Sequence, residues 1–275
     1  MALFGNRSLR EGPGVYKYDA EKTGFFRYWD ILFKKFTRII GATLLYVVCC
    51  LPVFTIGLAT AGYSYIMRNF VRGEPVSIIS DFFTVIKKNW EQSLVAGIVD
   101  VVVIVSYVAN YLFYSDFQEG NLFYLFWAVS VFYLVYFIMR FYIYDLIITF
   151  DYKIVSVYKN AFYLAVLGIK KNLLTLLSIV SLTLAYIGLI WLILSTFPVQ
   201  MTELIIFYII VLSMFIPIAL FSVAIQMNSW SVIEKLIVEP YNEKNPTEKI
   251  AEEQIFTDTV VPEKKSKNSK TGNNN

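Results

Sequence analysis

Five long apolar runs dominate this sequence. They cover residues 39–67, 92–115, 121–139, 172–202 and 204–233, and Asp100 is the only Asp, Glu, Lys or Arg inside any of them. Each run reaches the roughly 18 to 20 residues that a helix needs to cross a bilayer core about 30 Å thick. A soluble domain is about a quarter charged, whereas this chain is 57% hydrophobic and 16% charged. We therefore predict an all-α fold, a polytopic bundle of transmembrane helices.

The first run is too long for one upright pass. A straight helix over residues 39–67 would measure about 44 Å at 1.5 Å per residue. Pro52 and Gly57 lie near its middle, and proline and glycine both favour a break in a helix. One interpretation is a hairpin, with a first helix that ends near Leu51 and a second over residues 58–71. The alternative is a single kinked and tilted helix.

The positions of the basic residues favour the hairpin. If the first run crosses once, the 24 Lys and Arg residues divide at best into 16 on one side and 8 on the other. If it crosses and returns, all 24 lie on one side, as the positive-inside rule prefers. We therefore expect a multi-pass membrane protein with both termini in the cytoplasm. The bundle would hold about three helical hairpins.

A short amphipathic segment and a Lys-Lys pair precede three of the spans. The pairs lie at 34–35, 87–88 and 170–171, and the last two share the sequence Ile-Lys-Lys-Asn. In residues 24–40, aromatic and cationic residues alternate at helical spacing, which is typical of a membrane interface. Residues 77–85 and 156–167 show a similar pattern. The chain thus divides into a polar segment over 1–24, a helical membrane domain over 25–238 and a polar tail over 239–275, which we expect to be disordered.

No motif in the sequence indicates an enzyme. The chain has no histidine, which excludes imidazole metal sites and Ser-His or Cys-His catalysis. Phosphate-binding loops and nucleophile elbows are also absent. Cys49 and Cys50 are adjacent in an apolar run, where core packing is the simpler explanation than redox chemistry. We expect no catalytic, cofactor-binding or metal-binding residues, and the net charge of +3 gives no reason to expect nucleic-acid binding.

Three ionisable residues lie close to or inside the spans: Asp100, Arg140 and Asp145. If the second hairpin turns between residues 117 and 118, Asp100 lies about 7.5 Å deeper than Arg140 along the helix axis. A long arginine side chain nearly spans this distance, so an intramembrane ion pair is one interpretation. Arg140 and Asp145 could instead extend to the cytoplasmic interface. A structural pair and a transport-linked role both remain open.

The segment between the two arms of the first run resembles a known family. Its sequence, Leu-Pro-Val-Phe-Thr-Ile-Gly-Leu-Ala over residues 51–59, is similar to the Leu-Pro-x-x-Thr-Ile-Gly-Pro-Ala stretch of the YesL-like bacterial membrane proteins, with Leu58 in place of proline. The basic pairs before Asn89 and Asn172 also fit. The resemblance implies no catalytic residues and a turn-shaping role for six residues: Leu51, Pro52, Thr55, Ile56, Gly57 and Ala59.

The resemblance also implies a function that composition does not reveal. The family has no known biochemical activity and is linked to carbohydrate-uptake systems of the ABC type. We expect a non-enzymatic membrane protein that assists or assembles with such a transporter, with the bilayer and other membrane proteins as partners. Partner binding would use the apolar helix faces and the basic cytoplasmic connectors, with small residues such as Gly57, Ala59, Ala61 and Gly62 permitting close helix approach. A stand-alone transporter or channel is the alternative, and a membrane-bound enzyme would need a polar cluster at one interface.

Overall fold

The computed structural model of this chain describes residues 24–114, 121–196, 206, 211 and 215–244, and the regular elements in these ranges are helices. This confirms the all-α fold class. A short 3-10 helix, Val53–Thr55, precedes the second α-helix, and a π-helical turn, Glu234–Val238, follows the eighth. The α-helices are α1 (Phe25–Cys49), α2 (Ile56–Arg72), α3 (Ile78–Lys88), α4 (Trp90–Tyr114), α5 (Asn121–Thr149), α6 (Ile154–Leu167), α7 (Ile169–Thr196), α8 (Ile216–Ile233) and α9 (Glu239–Lys244).

Four helical stretches in the described ranges are long and apolar enough to cross a membrane. They are Trp90–Tyr114, Tyr124–Thr149, Ile169–Ile193 and Ile216–Glu243, and they correspond to the last four apolar runs. The span in α5 continues ten residues past the end of its uncharged run at 139, and so includes Arg140 and Asp145. The chain is therefore a helical membrane protein, and Arg140 and Asp145 lie within its α5 span, as Asp100 lies within its α4 span.

The first apolar run is broken into two antiparallel helices. α1 ends at Cys49, two residues before the predicted end, and α2 begins at Ile56, two residues before the predicted start. The amide of Cys50 donates back to the Tyr46 carbonyl at 2.9 Å, and Pro52 then leads the chain into the 3-10 helix. Proline at this point provides no amide for a continuing helix. The hairpin interpretation thus gives the correct local structure, and the single kinked helix is wrong.

The amphipathic start of α1 is continuous with its apolar half, but the helix kinks at Lys35, where φ is −116° and ψ is 15°. Three cations of α1 reach the end of α2 or the segment that follows it. Arg27 donates to the Val71 carbonyl at 3.2 Å, Lys35 donates to the Phe70 carbonyl at 2.8 Å, and Arg38 donates to the carbonyl of Val76, four residues beyond α2. Because the last carbonyls of a helix are unpaired and carry partial negative charge, Arg27 and Lys35 stabilise the end of α2, and all three cations close the hairpin.

α2 lies at the centre of the fold and packs against α1, α3, α4 and α5. Where α2 crosses α4, the backbones of the two helices are in direct contact. A Cβ atom added to Gly57 would lie 2.1 Å from the Ser93 carbonyl oxygen and 2.6 Å from the Gly97 Cα atom. Gly62 is similarly covered by the ring of Phe82 in α3, which is fully buried. Small residues on α2 therefore set the distances between the central helices.

Short helices form at both places where the amphipathic patterns predict them: the second Lys-Lys pair ends α3, and the third lies in the first turn of α7, directly after α6. The asparagine after each pair bonds back to the preceding helix: Asn89 Nδ2 donates to the Val85 carbonyl at 3.1 Å, and Asn172 Nδ2 donates to the Ala165 carbonyl at 2.8 Å. The two copies differ in register. Asn89 separates α3 from α4, whereas Gly168 separates α6 from α7 and Asn172 lies inside α7. Each amide side chain joins a short helix to its span.

Residues from Ser231 onward form a second compact unit. Its described part, through Lys244, is helical and contains the π-helical turn. The helix therefore extends six residues into the predicted tail, which was expected to begin at 239. The remainder of the tail, 245–275, and most of the polar segment 1–24 lie outside the described residues.

Candidate functional site: buried polar clusters at membrane depth

Asp100 in α4 lies at the centre of a cluster formed with α5. Arg140 Nε donates to Asp100 Oδ2 at 3.0 Å, and the Tyr144 hydroxyl donates to the same oxygen at 2.6 Å. The hydroxyl of Tyr136 donates to Oδ1 at 2.6 Å. Only 2% of Asp100 is exposed. The structure thus brings Asp100 and Arg140 together and adds two tyrosines that the sequence analysis did not identify.

The three donors share one face of α5 because they follow at intervals of four residues. Residues at i and i+4 lie one above the other on a helix, so Tyr136, Arg140 and Tyr144 form one row opposite α4. This Tyr-x-x-x-Arg-x-x-x-Tyr spacing is visible in the sequence and could have identified the cluster. A carboxylate removed from water needs such donors, since an unpaired buried charge costs several kcal/mol in rough terms.

Asp145, the residue after Tyr144 in α5, forms a second cluster on another side of this helix. Gln226 Nε2 donates to Asp145 Oδ1 at 2.8 Å, and Ser229 Oγ donates to Oδ2 at 3.0 Å. Asp145 is 1% exposed. The expectation that this side chain extends to the membrane interface is therefore wrong. Two side chains of α8 hold it inside the protein instead.

Arg68 of α2 completes the second cluster. Its guanidinium donates to the Thr149 hydroxyl, which in turn donates to the backbone carbonyl of Asp145. The guanidinium also lies 5.2 Å from the centre of the Trp230 ring, and Arg72 lies 4.7 Å from the same ring. Arg68 is 6% exposed, so a positive charge balances Asp145 within the helix bundle. The cation–π contacts replace part of the water that the guanidinium loses.

A cavity of about 360 Å³ lies between α1, α2, α5, α7 and α8. We call it the hydroxyl cavity, because its wall carries several hydroxyl groups together with one guanidinium and one amide. The rings of Tyr46 and Tyr63 stack in this wall with centres 4.6 Å apart. A second cavity, of about 440 Å³, lies between α4 and α5 and also reaches Arg140. The polar residues that line the hydroxyl cavity are Tyr46, Thr60, Tyr63, Ser64, Arg140, Tyr144, Ser222 and Gln226.

The motif residues of the first hairpin lie at the turn and at the start of α2. The Thr55 hydroxyl lies 2.5 Å from the Cys49 carbonyl and 2.7 Å from the Pro52 carbonyl, so it fastens the turn. Leu51 is 74% exposed at the turn, and Ile56 is the first residue of α2. These positions are consistent with the predicted turn-shaping role.

The expected partner surface on α2 is wrong. Ala59 and Ala61 are buried, Gly57 packs on Gly97 and Gly62 packs on Phe82. The sequence correctly indicates close helix approach at these small residues, but the approaching helices belong to the same chain. A surface for another protein has to lie elsewhere.

The described residues contain no group of three or more Cys, Asp or Glu side chains that could hold a metal ion. Among the cations that precede the spans, Lys35 is packed against α2, and this burial, with Arg38 nearby, lowers the pKa of its ammonium group. The two clusters and the hydroxyl cavity are thus the chemically distinctive features of the described region.

The fold and its four candidate spans define a polytopic helical membrane protein. Residues 25–111, which cover α1 to most of α4, match the model of the family described as "Protein of unknown function, DUF624". The match confirms the resemblance to the YesL-like family over this part of the chain. Neither a curated protein nor a solved structure matches the chain.

Proposed function

We propose that this protein is a non-enzymatic accessory or assembly partner of a carbohydrate-uptake system of the ABC type in a bacterial plasma membrane. The observation that carries the proposal is the exposure of α7. None of the most apolar 18 residues of this helix is buried against the rest of the chain. A span with so little support from its own chain has a whole side available for the helix of another membrane protein. The choice of a carbohydrate system rests on the family resemblance.

The outward face of α7 suits a close helix contact. Ile179 lines the hydroxyl cavity and Leu182 packs on the core, so the opposite face points away from the protein. Ser181, Ala185 and Gly188 follow there at helical spacing, all exposed, and a Cβ atom added to Gly188 would meet no other atom. Small residues in this arrangement allow two membrane helices to approach closely.

Replacing the small residues of this face with larger ones tests the proposal. We expect Ala185→Leu and Gly188→Leu to abolish co-purification with an ABC permease from native membranes and to reduce uptake of its carbohydrate. Val180→Phe is the matched control, because it enlarges an exposed residue on a different face of the same helix and should leave both unchanged. Equal co-purification of all three variants with the wild type would contradict the proposal.

A stand-alone transporter is a second candidate, which the hydroxyl cavity favours because it provides polar groups at membrane depth. Reconstitution separates the two. The accessory function predicts that liposomes containing only this protein show no saturable sugar flux, since no nucleotide site or ion-coupled pathway is visible in the sequence. Saturable flux with this protein as the sole component would establish the transporter instead.

A further inference from the structure

Three hydrogen-bonded hydroxyl groups lie at the hydroxyl cavity, and two of them, those of Tyr63 and Ser222, belong to its wall. Thr43, Tyr63 and Ser222 form a row in which the Tyr63 hydroxyl lies 2.9 Å from each of its two neighbours. Thr43 also contacts the Ile39 carbonyl and Ser222 contacts the Ala219 carbonyl, each at 2.9 Å. The row has four contacts but only three hydroxyl protons. At any moment one of the four contacts lacks a proton, so the row can accept a further hydrogen bond but has no free proton with which to donate one.

Gln226 adds a second acceptor. Its Nε2 donates to the Asp145 carboxylate, which can only accept, and this fixes the amide so that Oε1 is turned away from Asp145. Gln226 is 5% exposed, and its Oε1 has no hydrogen-bond partner in the described structure. Ser222 and Gln226 are four residues apart on α8 and thus share a face. A buried amide oxygen without a partner is costly. The atom is itself fully buried, so a donor in the cavity would reach it after a small movement of the side chain.

Arg140 provides the donor of the cavity. Its bond to Asp100 is made through Nε, so the terminal amino groups of the guanidinium are not used on that carboxylate. Its positive charge is already balanced by Asp100, and it is the only charged residue in the cavity wall. An ionic ligand would bring an unbalanced charge to membrane depth, which is unfavourable.

The cavity also has the walls and the size of a small-molecule site. Its volume of about 360 Å³ lies near the lower end of the roughly 300 to 1,000 Å³ typical of ligand pockets, and stacked tyrosine rings provide a flat apolar surface. At one end, the bonds from Gln226 and Ser229 to Asp145 join α5 to α8.

We propose that the hydroxyl cavity binds a small uncharged molecule that carries several hydroxyl groups. Its hydroxyls would donate to the row at Tyr63 and Ser222 and, after a small movement of the Gln226 side chain, to Gln226 Oε1. One of its oxygens would accept from Arg140. The inference rests on the cavity and is independent of the accessory function. A protein with this site could assist a transporter or act alone.

Binding by the purified full-length protein in lipid nanodiscs tests the proposal. The probes are glucose, xylose and myo-inositol, with gluconate and glucosamine as charged analogues, and the measurement is the ligand-dependent rise in Tm. We expect at least one uncharged probe to raise Tm saturably and the charged analogues to raise it far less. Loss of one hydrogen bond in Ser222→Ala should weaken that binding about fivefold.

Ser178→Ala is the matched control. Ser178 is a helical serine that donates to a carbonyl of its own helix, as Ser222 does, but it does not line the cavity, so its loss should leave binding unchanged. If Ser222→Ala does not accumulate, Tyr63→Phe provides the same test because it keeps the ring and removes the shared proton. The proposal is wrong if no uncharged probe gives a saturable shift, if charged analogues bind equally well, or if Ser178→Ala weakens binding as much as Ser222→Ala.

Discussion

At the scale of single residues, the fold has to place two carboxylates at membrane depth without leaving either unpaired. Asp100 receives three donors from a single helix face, whereas Asp145 receives two donors from α8. Each acid is also matched by one arginine, Arg140 or Arg68. The two clusters therefore connect α4 to α5 and α5 to α8, and their loss should affect folding before any activity.

The contribution of the tyrosine hydroxyls around Asp100 to stability can be measured directly. We expect Tyr136→Phe and Tyr144→Phe each to lower the stability of the protein by about 1.5 to 3 kcal/mol, the usual range for a hydrogen bond to a charged group. Thermal unfolding in nanodiscs would measure the loss. Tyr107→Phe is the control, because Tyr107 is 42% exposed and its ring contact with Tyr133 does not involve the hydroxyl. A loss no larger than that of the control would show that these bonds contribute little.

The ion pair itself predicts an asymmetry between its partners. Asp100→Asn keeps an oxygen that can accept from Tyr136 or Tyr144, whereas Arg140→Glu places a second acid beside Asp100 and should cost several kcal/mol in rough terms. Protein levels in membranes should therefore fall much further for Arg140→Glu. Exchanging the charges, with Asp100→Arg and Arg140→Asp together, should recover part of the loss. Equal levels of all variants would indicate that the two side chains do not interact.

At the scale of helices, the crossing of α2 and α4 depends on two glycines. We expect Gly57→Ala and Gly97→Ala each to reduce folded protein severely, because either new methyl group would lie within 3 Å of the backbone of the other helix. Gly41→Ala in α1 is the control, since a Cβ there meets no atom and alanine favours a helix by about 1 kcal/mol. Yield of folded protein by size-exclusion chromatography would decide. Unchanged yield for Gly57→Ala would show that the helices cross further apart.

The helices themselves follow from sequence, but their contacts follow only in part. Three features can be derived from local pattern, because each depends on helix period or on a short turn. They are the break at Pro52, the short helices α3 and α6, and the proximity of Asp100 to Arg140. The contact between Asp145 and Gln226 joins residues 81 positions apart. No local pattern determines which helix faces α5 there, so the second cluster and the hydroxyl cavity required the structure.

At the scale of the whole molecule, the main feature is the arrangement of the basic segments relative to the membrane. The hairpin of α1 and α2 returns the chain to the side where it began, and three cations of α1 bond to the end of α2 and to the segment just after it. If this side is the cytoplasm, every Lys-Lys pair lies there, in agreement with the positive-inside rule. The turn over residues 50–55 then faces the outside.

Cysteine accessibility in intact cells tests this arrangement most directly. In a background with Cys49→Ala and Cys50→Ala, single cysteines at Phe54→Cys, Glu74→Cys and Lys265→Cys would be exposed to a membrane-impermeant thiol reagent. Phe54 is 71% exposed in the hairpin turn and should be labelled without lysis, whereas the other two positions should be labelled only after lysis. Labelling of Glu74→Cys in intact cells, with Phe54→Cys protected, would contradict the two-helix hairpin and the cytoplasmic placement of the basic segments.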